Sequence, residues 1–508
     1  MTMLLAQAPP LPLGPIRTPP VEYSAMLPEL ILIGGALLLL LVVSVVRNRP
    51  PWLWTALTLA TGVATMAASL SLWFDVRDDG PRRVVADALV VDGFAVFFMV
   101  LISVTVILGS LLATAYLDRE GFAGPEFYVL MLLSAAGAVV MASANDLIVL
   151  FLGLEILSIA LYVLAGFHPR RAESREAAMK YFVLGAFSSA LFLYGVALVY
   201  GATGSTNLGS IRAFLASNLA PNGGVLLAGV ALLLVGLGFK VAVVPFHTWT
   251  PDVYQGAPSP VTGFMAAAAK AAGFAGLLRV FFSTFSTLRL DWRPAMLALA
   301  VVTLLVGSVL AVVQSDIKRM LAYSSISHAG YVLIGLQAAT PAGIAGSLFY
   351  LLAYTFMVLG SFAVVTAVGR RGDADHDLSA YQGLAARRPA IALAFTVLLL
   401  SQAGVPFTTG FLAKFYVISA AVEARSYALA LIGMLSAVIA AFFYLRITVL
   451  MYGPAAGAAP EDPDRPPRAL PVPAAIGVVL TVATAFTVAF GLVPSPMIHF
   501  ARQATLLL

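Results

Sequence analysis

The sequence predicts an all-α integral membrane protein with about 14 transmembrane helices. Of the 508 residues, 61% are hydrophobic and only 10% are charged, and the mean hydropathy is +0.96. These values lie far outside the range of soluble globular proteins. Apolar runs of about 20 residues, the length that crosses a bilayer, recur along the chain between proline, glycine or charged residues.

The predicted spans share this length and these boundaries. They lie at residues 24–46, 52–74, 89–116, 125–143, 146–167, 176–201, 223–249, 260–285, 294–313, 318–338, 342–368, 389–420, 426–451 and 470–492. Residues 1–23 are rich in proline and lack the basic start of a signal peptide, so we expect an extended tail there.

Lysine and arginine are distributed unevenly between the connections. Fourteen lie after odd-numbered spans and nine lie on the other side, tails included. Because cytoplasmic loops carry the excess of positive charge, both termini are predicted to lie outside the cytoplasm. The polar connections 369–389 and 453–468 would then face the cytoplasm, as surface loops or as docking sites for another subunit.

Several kinds of chemistry are excluded by what the sequence lacks. It has no cysteine, and its five histidines show no metal-ligand spacing. Neither a GxGxxG motif after a strand nor a phosphate-binding P-loop motif occurs. The net charge of +5 is spread over short loops, so no nucleic-acid partner is expected. We therefore expect no cofactor and no metal on this chain.

Six basic residues fall within predicted spans, where an ionisable group costs several kcal/mol. They are Lys180, Lys240, Lys270, Lys414, Arg279 and Arg446. The two arginines lie near span ends, and we expect their side chains to extend to the interface. Lys180 is also close to a span end, so an interfacial position competes with a functional one. Lys270 lies among alanines and glycines, which predicts burial between helices.

Glu155 lies in the middle of the apolar run DLIVLFLGLEILSIALYVLAGF. Its side chain is too short to reach the interface from there. This position indicates a proton relay or an ion pair, with a structural hydrogen bond to a neighbouring helix as the alternative.

Lys240 and Lys414 each share an apolar span with a proline, Pro245 or Pro406. Proline breaks the helical hydrogen-bond ladder, which membrane helices tolerate where protein or water satisfies the freed groups. Broken helices at corresponding places in two halves are typical of ion sites in transporters with inverted repeats. We therefore predict that both lysines exchange protons beside a helix break.

Two histidines are further candidates. His328 lies in the polar stretch AYSSISHAGY, whose hydroxyl groups could hold water, and His247 lies beside Pro245. Each is either a relay group or a packed histidine with satisfied hydrogen bonds.

Five long motifs resemble the antiporter-like subunits of proton-pumping NADH:quinone oxidoreductase, respiratory complex I, whose relatives include multisubunit sodium/proton antiporters. The motifs are LFLGLEILSIALYVL, AAMKYFVLGAFSSALFLYG, GFKVAVVPFHTWTPDVYQGAPSPVTGFMAAAAKAAGF, QSDIKRMLAYSSISHAGY and GVPFTTGFLAKFYV. Within that family the sequences of these motifs are most similar to the N type, and Lys414 occupies the position at which the M type usually carries glutamate.

The resemblance implies two inverted five-helix repeats with broken helices. The expected domains are a tail at 1–23, three helices at 24–116, repeat 1 at 125–285, repeat 2 at 294–451, and a last helix with a C-terminal tail at 470–508. It also implies a first pair between Glu155 and Lys180, a central Lys240, a connecting Lys270 and an exit at Lys414. His328 is expected to join the relay between Lys270 and Lys414.

The implied function is outward proton translocation driven by quinone reduction elsewhere in the complex. NADH, FMN, iron–sulfur clusters and quinone would be used by the complex and not by this chain. The expected partners are other membrane subunits of complex I and the lipid bilayer of the cell inner membrane. The alternatives are a subunit of a multisubunit cation/proton antiporter, a structural membrane scaffold and a metabolite carrier.

Overall fold

The computed structural model describes residues 21–45, 50, 52–122, 124–218, 223–374, 376–454 and 472–504. The predicted tail at 1–23 lies outside the described residues apart from 21–23. The connection 453–468 lies outside them apart from 453 and 454.

The described chain is helical almost throughout. Its α-helices are α1 (Leu27–Val45), α2 (Trp52–Asp79), α3 (Gly93–Glu120), α4 (Pro125–Ser143), α5 (Leu147–Ala165), α6 (Ala172–Thr203), α7 (Leu208–Ser217), α8 (Gly223–Val241), α9 (Trp249–Gly256), α10 (Ser259–Phe264), α11 (Lys270–Leu277), α12 (Arg289–Val312), α13 (Ile317–Ala338), α14 (Pro341–Val368), α15 (Leu384–Arg387), α16 (Pro389–Ala403), α17 (Thr409–Glu423), α18 (Tyr427–Tyr452), α19 (Ala474–Leu492) and α20 (Ser495–Gln503).

Shorter elements complete the described part of the chain. The π-helical segments Met265–Ala269 and Leu278–Thr284 follow α10 and α11, so that one continuous span runs over Ser259–Thr284. Three 3₁₀ turns lie at Tyr23–Met26, Ser286–Leu288 and Leu378–Tyr381. The strands β1 (Arg82–Val84) and β2 (Leu89–Val91) pair antiparallel between α2 and α3.

The prediction of an all-α membrane protein is confirmed. Among the described residues, 12 helical segments are long and apolar enough to cross a bilayer. The other two predicted spans are α13, which carries the polar stretch, and the pair α16 and α17, each only 15 residues long. The short helices α7 and α20 were not predicted, because their apolar runs are far below spanning length.

The core of the molecule lies around two spans. In the most apolar stretch of each span, all residues of Ser259–Thr284 and 89% of those of Pro341–Val368 are buried. In α19 only 33% of these residues are buried. Glycines allow other helices to approach closely. A Cβ on Gly137 of α4 would lie 2.4 Å from the Leu157 backbone nitrogen on α5, and one on Gly307 of α12 would lie 2.6 Å from that of Ser327 on α13.

The same local contact occurs twice, at matching positions of the chain. Asp146 forms a backbone bridge with Asn207, and Asp316 forms one with Asp377. In both pairs the second copy lies 170 residues after the first, since 316 − 146 and 377 − 207 are both 170. Asp146 and Asp316 also cap α5 and α13, which are the fifth and tenth spans. Because five crossings separate them, the two copies have opposite orientations in the membrane.

Candidate functional site

Both predicted helix breaks are present in the structure. The first separates α8 from α9 around Pro245, where the Val244 N–H donates to Thr303 Oγ1 at 3.0 Å. The second separates α16 from α17 around Pro406, where Gly404 and Phe407 have φ angles of +94° and +65°. The left-handed conformation ends the helix readily at Gly404 but is strained at Phe407.

Lys240 lies in the last turn of α8 and is only 5% exposed. Its Nζ donates to Ser158 Oγ at 2.8 Å and to the Tyr181 hydroxyl at 3.2 Å. A cavity of about 10 Å³ beside it is also lined by Tyr162 and Ser188. That volume accommodates about one water molecule, and its polar lining suits one.

The expected pair between Glu155 and Lys180 is wrong. Lys180 Nζ lies 2.6 Å from Asp252 Oδ2 and 2.7 Å from Glu176 Oε1. Glu155 Oε1 is buried and, among the described residues, has no hydrogen-bond partner.

The depths of the two side chains explain this difference. Tyr162 of α5 packs on Tyr181 of α6 with ring centroids 4.8 Å apart. Glu155 lies seven residues before Tyr162, which is about 10 Å further along α5 and away from Lys180. Glu155 instead shares a helix face with Ser158, the partner of Lys240.

Lys180 lines a polar pocket of about 260 Å³ together with Glu173, Glu176, Asp252 and Arg319. Arg319 Nη1 donates to Asp252 Oδ1 at 2.8 Å, so this carboxylate serves two cations. The pocket lies on the side of the connections that follow odd-numbered spans.

Lys270 is 3% exposed and binds α13. Its Nζ donates to Ser325 Oγ at 2.5 Å and also to the Ser325 carbonyl. The same Ser325 hydroxyl lies 3.3 Å from the Tyr254 hydroxyl. The ring of Tyr354 lies below the ammonium, with Nζ 5.5 Å from its centroid.

His328 is buried between two tyrosines. Its Nδ1 lies 2.7 Å from the Tyr350 hydroxyl, and its Nε2 lies 3.1 Å from the Tyr444 hydroxyl. Tyr444 also bonds to Ser324, the neighbour of the serine that Lys270 binds. Hydroxyl groups thus connect the surroundings of Lys270 with His328.

Lys414 lies on α17 and reaches back across the second break. It is 5% exposed, and its Nζ donates to the carbonyl oxygens of Gln402 at 2.8 Å and Ala403 at 2.7 Å. The ring of Tyr331, which stacks on that of Tyr350, lies 5.0 Å from the ammonium.

His247 lies in the first break, but it makes no hydrogen bond with the other predicted relay residues in the described part of the chain. Its Nδ1 is buried without a hydrogen-bond partner there. Buried polar atoms normally have a hydrogen-bond partner, and a single water molecule could be the partner of this nitrogen.

Arg279 does not extend to the interface as expected. It is 2% exposed and forms a bidentate pair with Asp92, with N–O distances of 2.9 and 3.0 Å. Asp92 also caps α3 through a 2.7 Å bond from the Ala95 N–H. Asp92 and Arg279 both lie within predicted apolar spans that are far apart in the chain. The sequence therefore did not indicate that they form a pair. Arg446 is exposed and donates to the Val312 carbonyl at 3.3 Å.

Several candidate site residues were missed in the sequence, because single polar groups within or beside apolar spans resemble ordinary packing residues. They are Ser158, Tyr181, Tyr254, Tyr350, Tyr354 and Tyr444, together with the carboxylate of Asp252. Tyr350 and Tyr354 are four residues apart and so share a helix face, a signal that the sequence does contain. Within the described residues, no group of three or more histidine or acidic side chains could hold a metal ion.

Known proteins resemble this chain along nearly its whole length. The family model "NADH:quinone oxidoreductase/Mrp antiporter, TM" matches residues 144–440. NADH-quinone oxidoreductase subunit N of Trichlorobacter lovleyi is 41% identical over 490 residues, which cover 96% of this chain and 98% of that protein. The subunit N of Mycobacterium tuberculosis is 47% identical over 400 residues, 77% of this chain and 73% of that protein.

A solved structure agrees with these relatives. A chain of respiratory complex I from Thermus thermophilus, solved with bound aureothin, has 34% identity and a TM-score of 0.77. The match covers 93% of this chain and 98% of that chain. The protein therefore belongs to the NADH:quinone oxidoreductase/Mrp antiporter family of membrane proteins, and within it to the subunit N group.

Proposed function

We propose that this chain is a proton-translocating membrane subunit of NADH:quinone oxidoreductase. The observation that carries the proposal is the burial of three lysines, Lys240, Lys270 and Lys414, which are 5%, 3% and 5% exposed. Among the described residues, none of the three has a carboxylate within salt-bridge distance. Lys240 and Lys270 bond to hydroxyl groups, which can relay a proton, and Lys414 bonds to two backbone carbonyls, so no carboxylate in the described part of the chain holds any of the three in its charged form.

The proposed path begins at the polar pocket. Protons enter from the cytoplasm at Lys180 and Asp252, and Tyr181, the next residue after Lys180, leads to Lys240. Glu155 lies one turn from Ser158 on α5, so its charge stabilises the protonated form of Lys240 when both are ionised.

The path continues through the enclosed centre of the molecule. The stem of Lys240 packs against Gly273, three residues after Lys270 on the same helix face. From Lys270 the proton moves along Ser325, Ser324 and Tyr444 to His328. Tyr350 and Tyr331 then bridge to Lys414, the exit group. His247, at the first break, is a further relay candidate through water.

The energy for this movement comes from outside the chain. Moving a proton against a membrane potential costs about 2.3 kcal/mol per 100 mV. In the proposed complex, reduction of quinone by NADH through FMN and iron–sulfur clusters in other subunits supplies it. The partners are the other membrane subunits of complex I, in the bacterial inner membrane.

The orientation and the domain boundaries belong to the same proposal. The excess of lysine and arginine after odd-numbered spans supports termini outside the cytoplasm. The matched bridges at Asp146 and Asp316 support inverted repeats at 125–285 and 294–451, flanked by 24–116 and 470–508.

The relay is tested in inverted membrane vesicles that carry the assembled complex. We expect Lys240→Ala and Glu155→Gln to leave NADH oxidation measurable and to lower the protons pumped per NADH. Arg446→Gln is the matched control, because this arginine is exposed and is not one of the groups in the proposed path. Wild-type pumping in both relay variants contradicts the proposal.

A second candidate function is a subunit of a multisubunit cation/proton antiporter, because the matching family model includes Mrp antiporters. The two functions differ in their requirements. An antiporter exchanges sodium for protons in vesicles without NADH or quinone, whereas the proposed subunit purifies with flavin and iron–sulfur partners and pumps only when NADH is oxidised.

A further inference from the structure

One carboxylate outside the relay lies at the junction of several helices. Asp373, in the connection between α14 and α15, has a side chain that is 0% exposed. Its Oδ2 lies 3.0 Å from Lys318 Nζ and 3.1 Å from Arg171 Nη1, and its Oδ1 accepts a 2.9 Å hydrogen bond from Ser259 Oγ. Arg119 is a further cationic neighbour at 3.6 Å, and His376 Nε2 lies 3.5 Å from Oδ1.

These partners come from distant parts of the chain. Arg119 lies in the last turn of α3, Arg171 precedes α6, Ser259 begins α10 and Lys318 is the second residue of α13. Asp373 therefore connects the N-terminal helices and both halves of the molecule, on the side of the polar pocket.

The ion pair between Asp373 and Lys318 contacts α9, which follows the first helix break. The Lys318 side chain is also 0% exposed, and its Nζ donates to the carbonyl of Ala257, the C-cap residue of α9, at 2.6 Å. The next residue, Arg319, binds Asp252 on α9 at 2.8 Å, and Asp252 binds Lys180 at 2.6 Å. Two consecutive basic residues of α13 thus hold both the end and the middle of α9.

The electrostatics of the cluster keep the Asp373 carboxylate charged. Burial alone raises the pKa of Asp373, but Lys318, His376 and Arg171 together hold it well below its usual range. The carboxylate is therefore ionised at neutral pH. Removing its charge would leave the buried Lys318 ammonium without its counter-ion, which a buried cation tolerates poorly.

We propose that Asp373 is a positioning residue for proton uptake: by holding Lys318 it fixes α9, and so keeps Asp252 in contact with Lys180 at the pocket. The expected effect of Asp373 on proton pumping rests on the proposed function. Its geometric part, the dependence of the contact between Asp252 and Lys180 on Asp373, stands independently of that function.

The geometry is measured by zero-length carbodiimide cross-linking of the assembled complex in inverted vesicles, which expose the cytoplasmic face. Lys180 has two carboxylate neighbours, Asp252 on α9 and Glu176 on its own helix, at 2.6 and 2.7 Å. Both amides are quantified by mass spectrometry of this chain. The amide to Glu176 is the internal standard, because it does not depend on the position of α9.

We expect Asp373→Asn to lower the ratio of the Asp252 amide to the Glu176 amide several-fold, and to lower the protons pumped per NADH. The matched control is Asp377→Asn in the same connection. The Asp377 side chain is exposed and accepts a local hydrogen bond from the Ser379 N–H at 2.8 Å, and its backbone bridge to Asp316 is retained in the asparagine variant. This control should retain the wild-type ratio and pumping.

A double variant separates positioning from simple stability. Asp373→Asn with Lys318→Met removes both buried charges, so it should restore the amount of assembled complex but not the cross-link ratio or the pumping. Restoration of all three would overturn the inference, as would a wild-type cross-link ratio in Asp373→Asn. If Lys240→Ala and Glu155→Gln both pump normally while the ratio falls in Asp373→Asn, the proposed function fails and the positioning role remains.

Discussion

The Lys240 ammonium donates a 2.8 Å hydrogen bond to Ser158 Oγ, which joins the end of α8 to the middle of α5. This contact explains how an ammonium group is accommodated in an apolar span. It also brings Lys240 to the helix that carries Glu155, through a hydroxyl group and without a direct ion pair.

Replacing Ser158 with alanine should slow proton pumping about tenfold, because hydrogen bonds to charged groups contribute about 1.5–3 kcal/mol. Lys240 would keep only its bond to Tyr181, at 3.2 Å. The measurement is the initial rate of NADH-driven proton pumping in vesicles that hold equal amounts of the complex. Ser44→Ala is the control, since Ser44 is exposed and bonds only to a carbonyl of its own helix. Equal loss in both variants would exclude a specific role for Ser158.

Tyr444→Phe should reduce pumping while the complex still assembles. The change removes one hydroxyl group that contacts both His328 Nε2 and Ser324, and so interrupts the hydrogen-bonded chain between Lys270 and Lys414. Pumping and assembly are compared with Tyr452→Phe, on the same helix but exposed. Unchanged pumping in Tyr444→Phe would show that the proton bypasses this hydroxyl.

The buried pair of Arg279 and Asp92 should matter for stability and not for proton movement. Arg279→Met removes the arginine that pairs with the buried Asp92 carboxylate, and breaking a buried ion pair in this way costs about 3–5 kcal/mol. We expect a lower thermal unfolding temperature and less chain in the membrane. Asp92→Asn combined with Arg279→Met should recover much of this loss, because asparagine still caps α3 and no charge remains buried. A double variant as unstable as the single one would refute this explanation.

Gly410→Ala should prevent correct packing of the second broken helix. A Cβ at Gly410 would lie 1.8 Å from the Ser401 carbonyl oxygen, a backbone atom that cannot move aside. Gly477→Ala on α19 is the matched control, because no atom lies within 4 Å of its Cβ position. The amount of folded chain after detergent extraction distinguishes the two. Equal yields would show that α17 can shift to make room.

Most of the fold could be predicted from the sequence because burial in lipid leaves a strong signal. Each span needs about 20 apolar residues, and each of the 14 predicted spans overlaps an observed helix or broken helix. Pro245 and Pro406 likewise marked the breaks, since proline cannot complete the helical ladder. Such local signals do not depend on which helices are neighbours.

The partners of the charged residues could not be predicted in the same way. Lys180 binds Asp252 and Arg279 binds Asp92, pairs that are 72 and 187 residues apart in the chain. Only the packing of the helices determines which polar groups meet. The central lysines were found because a buried ammonium is conspicuous in an apolar run, whereas Tyr350 and Tyr444 resemble ordinary core residues until His328 is placed between them.

The contact of Lys414 with the end of α16 has a consequence for how charge is balanced there. Aligned peptide dipoles give the C-terminus of a helix about half a negative charge, and the ammonium lies on the carbonyls of the last two residues, Gln402 and Ala403. The main chain therefore supplies the counter-charge for Lys414, whereas the Asp252 side chain supplies it for Lys180. Point substitutions can abolish the acidic partner of Lys180, but the macrodipole at Lys414 persists for as long as α16 remains helical.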